Sequence, residues 1–197
     1  MQLQKAGVRS PPAPSGDAQC TREDAEKQYR AAIAETGEIV TAMGTLIGET
    51  AINAMRQSSQ RLTSNPPIWG GSVQVTCPGR DRIDASGRQG VKADYRDGAP
   101  VEIGVGLIRL GELAFVGINS EPYSEIVQHL KNRSPLAQTT VMGLTNGWGN
   151  FGYIYSNNAS DHLTFQVIGS RLKPGCAEDK IIDAALKLID QSTSSAR

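Results

Sequence analysis

The chain has no long apolar run and no cluster of one charge. No segment approaches the roughly 18 consecutive apolar residues of a membrane-spanning helix, and the first twenty residues lack the apolar stretch of a secretory signal. The 20 basic and 20 acidic residues cancel, and Lys and Arg form no run. The sequence therefore predicts no transmembrane segment and no nucleic-acid partner, favours a neutral substrate, and specifies no compartment.

Cysteine and histidine are scarce. The three cysteines, Cys20, Cys77 and Cys176, are odd in number and show no CxxC spacing, which predicts packing thiols in place of a disulfide framework or a cysteine zinc site. His129 and His162 have no ligand spacing with each other or with a cysteine. HExxH, GxSxG and P-loop motifs do not occur, so the sequence displays no complete catalytic set.

Proline, glycine and apolar positions divide the chain into one predicted domain between two disordered ends. Residues 1–19 are rich in Pro and Ser and have no periodic apolar positions, which predicts a disordered lead. The predicted domain spans residues 20–191, a length suited to a single core, and residues 192–197 are predicted to be a disordered tail.

Apolar periodicity predicts helices at both ends of this domain and strands between them. A helix is predicted to start near Arg22, and a second helical pattern after Gly37 predicts a buried or half-buried helix that ends near Ser59. Strands are predicted at residues 72–77, 101–110, 113–118, 139–144 and 162–168, and further helices at residues 122–131 and after Gly175. This order predicts an α/β or α+β fold, with a mixed sheet layered with helices.

Two segments run from an apolar strand into a polar turn, a place where proteins often carry chemistry. The first, residues 116–126, delivers Glu121 at the start of a predicted helix. A carboxylate at a strand exit is held by a fixed backbone and remains accessible, so Glu121 is a candidate cation ligand or base. Its attraction to the helix dipole is the alternative explanation for an acid at that position.

The second segment, residues 143–156, is a glycine-rich turn that carries four aromatic residues. Asn146 and Gly147 form a strong turn signal, but a turn alone does not require Trp148, Tyr153 and Tyr155. Aromatic side chains in such a loop serve either as a packing platform or lid, or as the lining of a ligand pocket. The two segments together suggest half of an active site.

Order and spacing of several segments carry a family resemblance. The segments are residues 75–80, 115–126, 143–154 and 167–178. Together they resemble the carboxyl-terminal part of the catalytic region in the neutral/alkaline, non-lysosomal ceramidase family, over roughly residues 51–189. The resemblance implies zinc-dependent hydrolysis of the N-acyl amide bond of a ceramide-like lipid.

The same resemblance assigns roles to individual residues. Members of the family hold one zinc ion with two histidines, a glutamate and a tyrosine, and the last two correspond to Glu121 and Tyr153. The loop that contains Asn146, Trp148 and Tyr155 corresponds to the lining of the substrate pocket. No residue of this chain is identified as catalytic.

The chain departs from the family at the histidine side of the site. The family's two histidines and its catalytic serine lie in upstream sequence, and His129 and His162 match neither histidine. One carboxylate and one phenol fall short of the three or four ligands of a catalytic zinc ion. We therefore expect the incomplete half of a larger catalytic domain, inactive alone, whose full-length relatives are exported or membrane-associated.

Two other functions are compatible with the same residues. The chain is either a non-enzymatic interaction or remnant domain in which the loops only pack, or a small-ligand binding module that uses Trp148 and the tyrosines. The sequence gives no indication of an oligomeric state.

Overall fold

The structure, a computed structural model, describes residues 22–58, 64–84, 93–147 and 149–194. The chain divides into two compact units, Met1–Thr63 and Ser64–Arg197. Helices and a mixed sheet make up the described residues, so the predicted α/β class is confirmed. The predicted lead, residues 1–19, lies outside the described residues, as does Trp148.

In the first unit the described residues form one helix, α1 (Arg22–Ser58), which is 37 residues long. The two predicted helical segments are therefore continuous. Every residue from position 23 to position 58 is exposed, and the exposed set includes Met43, Leu46 and Ile47. The prediction that the second helical segment is buried is wrong. An apolar helix face is buried only when another surface packs against it, and the described residues of the first unit contain no second helix or strand.

The second unit is built on four strands, β1 (Ile68–Arg82), β2 (Tyr95–Leu110), β3 (Leu113–Ile118) and β4 (Gln138–Met142). They lie side by side in chain order; β2 is antiparallel to both β1 and β3, and β4 is parallel to β3. The predicted bounds of β3 are confirmed, and a tight connection at Gly111, where φ is 57°, joins it to β2. Only glycine adopts such a backbone readily.

The first strand is longer than its sequence predicts. It continues through Pro78 and Gly79, which were predicted to form a turn, because the pairing with β2 shifts register between Cys77 and Gly79. A bulge of this kind keeps a strand continuous past a residue that disrupts regular pairing. Proline has no N–H to donate, and β1 lies at an edge of the sheet, where that loss is tolerated.

Three helices accompany the sheet, α2 (Ser124–Arg133), α3 (Phe165–Gly169) and α4 (Ala177–Ser194), together with a 3-10 turn at Asn157–Ala159. The strand predicted at residues 162–168 is wrong. The alternation of apolar residues there indicates a strand, but the Thr164 side chain accepts a hydrogen bond from the Val167 N–H and caps a short helix. His162 therefore lies before α3, in a loop.

The core lies on one face of the sheet, which packs against α4. Alternate residues of β2 and β3 point into it, and α2 and α4 contribute Ile126, Leu130, Ile181 and Ile189, each at most 1% exposed. The opposite face is more open, with Ile108 and Met142 exposed. No helix among the described residues combines the length and the hydropathy that a bilayer crossing requires.

A disulfide joins the sheet to the last helix. Cys77 of β1 is bonded to Cys176, one residue before α4, and their Cα atoms are 5.8 Å apart. The prediction of unpaired packing thiols is therefore wrong for these two residues. An odd cysteine count argued against a framework of bridges, but it does not exclude one bridge that leaves Cys20 over.

Candidate functional site

The two strand exits meet through their backbones. The Ile154 N–H donates to the Glu121 carbonyl at 3.0 Å, and the Tyr123 N–H donates to the Ile154 carbonyl at 2.9 Å, which makes a parallel bridge between Pro122 and Ile154. Bridged segments lie about 4.8 Å apart, and residues one step from the bridge share a face. The bridge therefore sets the backbones of Glu121 and Tyr153 side by side, and both residues are half-buried.

The backbone beneath Glu121 is fixed on both sides. Asn119 prolongs the pairing of β3 with β2, because its Oδ1 accepts from the Gly104 N–H at 2.9 Å. Ser120 is 3% exposed, and its hydroxyl donates to the Gly152 carbonyl. The strand exit is thus bonded to the sheet and to the glycine-rich loop, which leaves only the Glu121 side chain to adjust.

The glycine-rich loop wraps around this exit. The N–H groups of Leu144 and Thr145 donate to the carbonyls of Ser120 and Ile118, both at 3.0 Å. Leu144 has φ 56°, a left-handed backbone that is costly for a residue with a branched side chain. The hydrogen bond from its N–H helps to hold this conformation, and strained backbone of this kind tends to occur near functional sites.

Asn146 lies at a different place from Glu121 and Tyr153. It is exposed, has φ 57°, and lines a groove on the open face of the sheet with Gly106 and Gly117. Tyr155 is 5% exposed, and its hydroxyl donates to the Leu172 carbonyl at 2.7 Å inside the core. Substrate contact by either residue stays a prediction, and the position of Trp148 lies outside the described residues.

Burial also changes the acidity of Tyr155. Removal from water raises the pKa of its phenol, and the nearby Arg80 guanidinium opposes the rise. A buried phenol that keeps its proton is suited to hold a backbone carbonyl, which matches its hydrogen bond to Leu172.

Tyr153 is supported from behind by α3. Its ring packs edge-to-face on Phe165, with centroids 5.7 Å apart and planes at 87°. The Ser170 hydroxyl donates to the Tyr153 carbonyl at 2.7 Å. The short helix that the sequence did not predict therefore orients the candidate tyrosine ligand.

The C-terminal end of α3 is in turn held by Arg80. Its Nε donates to the Ser170 carbonyl at 3.1 Å and a terminal nitrogen donates to the Val167 carbonyl at 2.6 Å. The guanidinium carbon lies 3.9 Å from the centre of the Tyr95 ring, a cation–π arrangement. Arg80 is 9% exposed, so these groups stabilise a charge inside the fold.

A polar cluster between α2, α4 and the 3-10 turn was not predicted. The Glu178 carboxylate is 5% exposed, bonds His129 Nδ1 at 2.6 Å, and accepts from the Asn157 N–H at 2.6 Å. Glu125 accepts from the Ser156 hydroxyl at 2.5 Å and from the Asn158 amide at 2.6 Å. The four-residue spacing of Glu125 and His129 on one helix was the only sequence signal for it.

Those hydrogen bonds lower the pKa of Glu125. The Ser156 hydroxyl has the largest effect and Asn158 the next, desolvation opposes both, and the charges of His129 and His162 add smaller decreases. Because the cluster ties the 3-10 turn to two helices, it fixes the chain that follows Tyr153.

The described residues do not by themselves fit a catalytic zinc ion. Among them, no group of three or more His, Cys, Asp and Glu side chains is arranged to hold a metal. Glu121 and Tyr153 are adjacent, but catalytic zinc requires at least three protein ligands. His129 is bonded to Glu178 and lies in the polar cluster, so it is engaged elsewhere.

No protein-family model, no curated protein and no solved structure matches this chain. The site is therefore interpreted from its own geometry and from the resemblance of its segments.

Proposed function

We propose that Glu121 and Tyr153 form one side of the zinc site of a ceramidase-like amide hydrolase, which cleaves the N-acyl amide bond of a ceramide-like lipid. The observation that supports this proposal is the bridge between Pro122 and Ile154, because it brings together the two residues to which the resemblance assigns metal binding. They are 32 positions apart in the sequence, and each follows an independently fixed backbone segment.

The chemistry of the pair suits this role. Zinc accepts carboxylate oxygen readily and phenolate oxygen less often, and when bound it activates water or polarises a carbonyl. In the proposed enzyme, Glu121 supplies the charged donor and Tyr153 supplies a donor whose ring is held by Phe165. Two histidine ligands come from other sequence, so the chain alone is proposed to be inactive.

Zinc binding and hydrolysis test the proposal in two protein samples. One is the chain alone, and the other joins it to the histidine-containing part of a ceramidase-family catalytic domain. Isothermal titration with zinc should show weak binding by the chain alone and stoichiometric binding by the joined protein. The joined protein should also hydrolyse a short-chain fluorogenic ceramide analogue.

Matched substitutions assign the effect to the pair. Glu121→Gln removes the negative charge of the carboxylate and Tyr153→Phe removes the phenol oxygen, both with little change in shape, and each should abolish tight zinc binding and hydrolysis. Glu102→Gln, at an exposed position of β2, is the control and should retain both. Hydrolysis that survives both substitutions refutes the assignment, and tight binding by the chain alone that Glu121→Ala removes refutes the incomplete ligand set.

A separate observation supports the second candidate, a small-ligand binding module. The groove on the open face of the sheet encloses about 400 Å³ and is floored by glycine, with Phe115, Met142 and Asn146 among its lining residues. Pockets of this size, mostly apolar with a few polar groups, suit small ligands. Fluorescence of a labelled fatty acid should rise on binding, and Gly106→Val should reduce that rise by filling the groove.

A further inference from the structure

One backbone edge of β1 faces away from its neighbour β2, because β1 is the first strand of the sheet. Lys180 of α4 donates from Nζ to the Thr76 carbonyl at 2.8 Å, and the Lys173 N–H donates to the Pro78 carbonyl at 3.1 Å. The carbonyls of Thr76 and Pro78 therefore point outward, and this end of the edge is covered.

Before Thr76 the same edge is open. Successive residues of an antiparallel strand alternate between its two edges, so Ser72 and Gln74 point their N–H and C=O groups outward like Thr76. Both residues are exposed, and no other described residue bonds their outward backbone groups. Residues 68–75 also lack charge and proline, the features by which proteins usually block an open edge.

A groove runs beside this edge, between β1 and α4. It encloses about 430 Å³, and Val73, Val75, Ala184 and Leu188 form its apolar lining. An exposed strand edge next to a helix-lined groove is the arrangement in which an extended peptide adds to a sheet: backbone bonds give affinity and the groove selects side chains.

The rim of the groove is positive. Lys180 and Lys187 line it together with Asp183, but Asp183 is paired with Arg133 of α2 at 2.9 Å. Lys187 is exposed and has no acidic partner among the described residues. A ligand that carries carboxylates complements this rim, whereas a basic ligand is repelled.

We propose that the groove between β1 and α4 binds an extended, acidic segment of a partner protein, which adds as a strand at residues 70–75. Six residues span about 20 Å at the rise of a β-strand. In this complex the segment bonds the backbones of Ser72 and Gln74, places alternate apolar side chains on Val73 and Leu188, and sets a carboxylate near Lys187. This interaction is independent of the zinc chemistry.

A second copy of the chain fits the groove less well. Two-fold pairing of the open edges brings the positive rims of both copies to one interface. Like charges oppose such pairing, whereas an acidic segment neutralises them.

The test uses a synthetic eight-residue peptide in which threonine alternates with the groove-facing residues, three valines and one glutamate, and a matched peptide with lysine in place of the glutamate. Amide resonances of the intact chain are followed by NMR. The acidic peptide should shift the Ser72 and Gln74 amides, and the lysine peptide should bind about tenfold more weakly because attraction becomes repulsion. Two further peptides carry N-methyl groups on alternate residues. Methylation of the nitrogens that face β1 should abolish binding, and methylation of those that face away from β1 should preserve it.

One substitution reverses the charge of the rim. Lys187→Glu should exchange the preference between the two peptides, whereas Lys131→Glu, at an exposed position of α2 outside the groove, should leave it unchanged. The proposal is refuted if millimolar acidic peptide leaves the Ser72 and Gln74 amides unshifted, or if both peptides bind equally. It is also refuted if methylation of the two sets of peptide nitrogens has the same effect. Concentration-dependent dimerisation through these amides refutes it in favour of a second copy.

Discussion

Cys77 and Cys176 close a loop across 99 positions of the chain and fasten the start of α4 to β1. Their Cα separation of 5.8 Å lies within the range of ordinary disulfides. Around the bridge, Lys180 bonds the Thr76 carbonyl and Leu172 pairs with Gly79, so α4 and the segment that leads into it are attached to the strand at three neighbouring places.

Reduction of this disulfide should destabilise the second unit. A loop of about 100 residues loses about 4.7 kcal/mol of unfolded-state entropy on cross-linking, so we expect a loss of about 3 to 5 kcal/mol. Urea unfolding with and without dithiothreitol measures it. As a check on the pairing, the unreduced, denatured chain should titrate one thiol, Cys20; a count of three contradicts the bridge.

A matched pair of glycines separates backbone strain from crowding. Gly152 and Gly175 have φ of 81° and 82°, but a Cβ on Gly152 would lie 3.1 Å from the Gly169 carbonyl oxygen, and one on Gly175 meets nothing within 4 Å. Gly175→Ala should cost about 1 kcal/mol, and Gly152→Ala about 2 kcal/mol or more. Chemical denaturation gives both values. Equal losses would mean that the backbone of α3 relaxes around the methyl group.

Acid should weaken the fold partly through Glu125. The pKa of this carboxyl lies below its ordinary value of 4.5 in the folded chain, so its stabilising effect is present above pH 4.5 and is lost as the pH falls through the folded-state pKa. Glu125→Gln should therefore flatten the decline of the unfolding free energy below pH 4.5. Glu102→Gln serves as the control, and an unchanged acid profile for Glu125→Gln contradicts this assignment.

Replacement of Arg80 should loosen the support of Tyr153. Arg80→Met removes the guanidinium donors from the Val167 and Ser170 carbonyls, although the Ser170 N–H still bonds the Val167 carbonyl, and should cost about 3 kcal/mol. Arg80→Lys should recover less than half of it, because an ammonium cannot reproduce the planar set of donors. Thermal unfolding measures the loss, and weaker NMR contacts between the Tyr153 and Phe165 rings should accompany it.

If the unfolding free energy falls while those ring contacts persist, Arg80 stabilises the core without orienting Tyr153. Arg80 would then contribute to the free energy of unfolding and not to the position of the Tyr153 ring.

The sequence pattern alone predicted those elements whose conformation is determined by their own residues. The bounds of β3 follow from an apolar β-branched run that ends at polar residues 119–121, and the connection before it follows from Gly111. The partnership of Glu121 and Tyr153 required the family resemblance, because no local pattern relates two strand exits 32 positions apart. The structure shows a backbone bridge between Pro122 and Ile154, next to both residues, and their role as ligands stays a prediction.

Two of the errors have a common origin in contacts that a short stretch of sequence does not contain. The Cys77–Cys176 bridge depends on contact across the whole sheet, and the exposure of α1 depends on whether another surface covers it. Residues 162–168 contain both a period of two and a threonine cap, and the cap determines the conformation. In that segment the cap outweighs the weak apolar pattern.

The bridge between Pro122 and Ile154 is made by main-chain atoms alone. The two hydrogen bonds of the bridge therefore do not depend on the side chains at positions 121 and 153. Positions 121 and 153 therefore lie on a backbone that is held independently of their side chains, and they can be redesigned with other donor pairs such as two histidines. Such substitutions test the proposed metal site while the main-chain bonds of the bridge are retained.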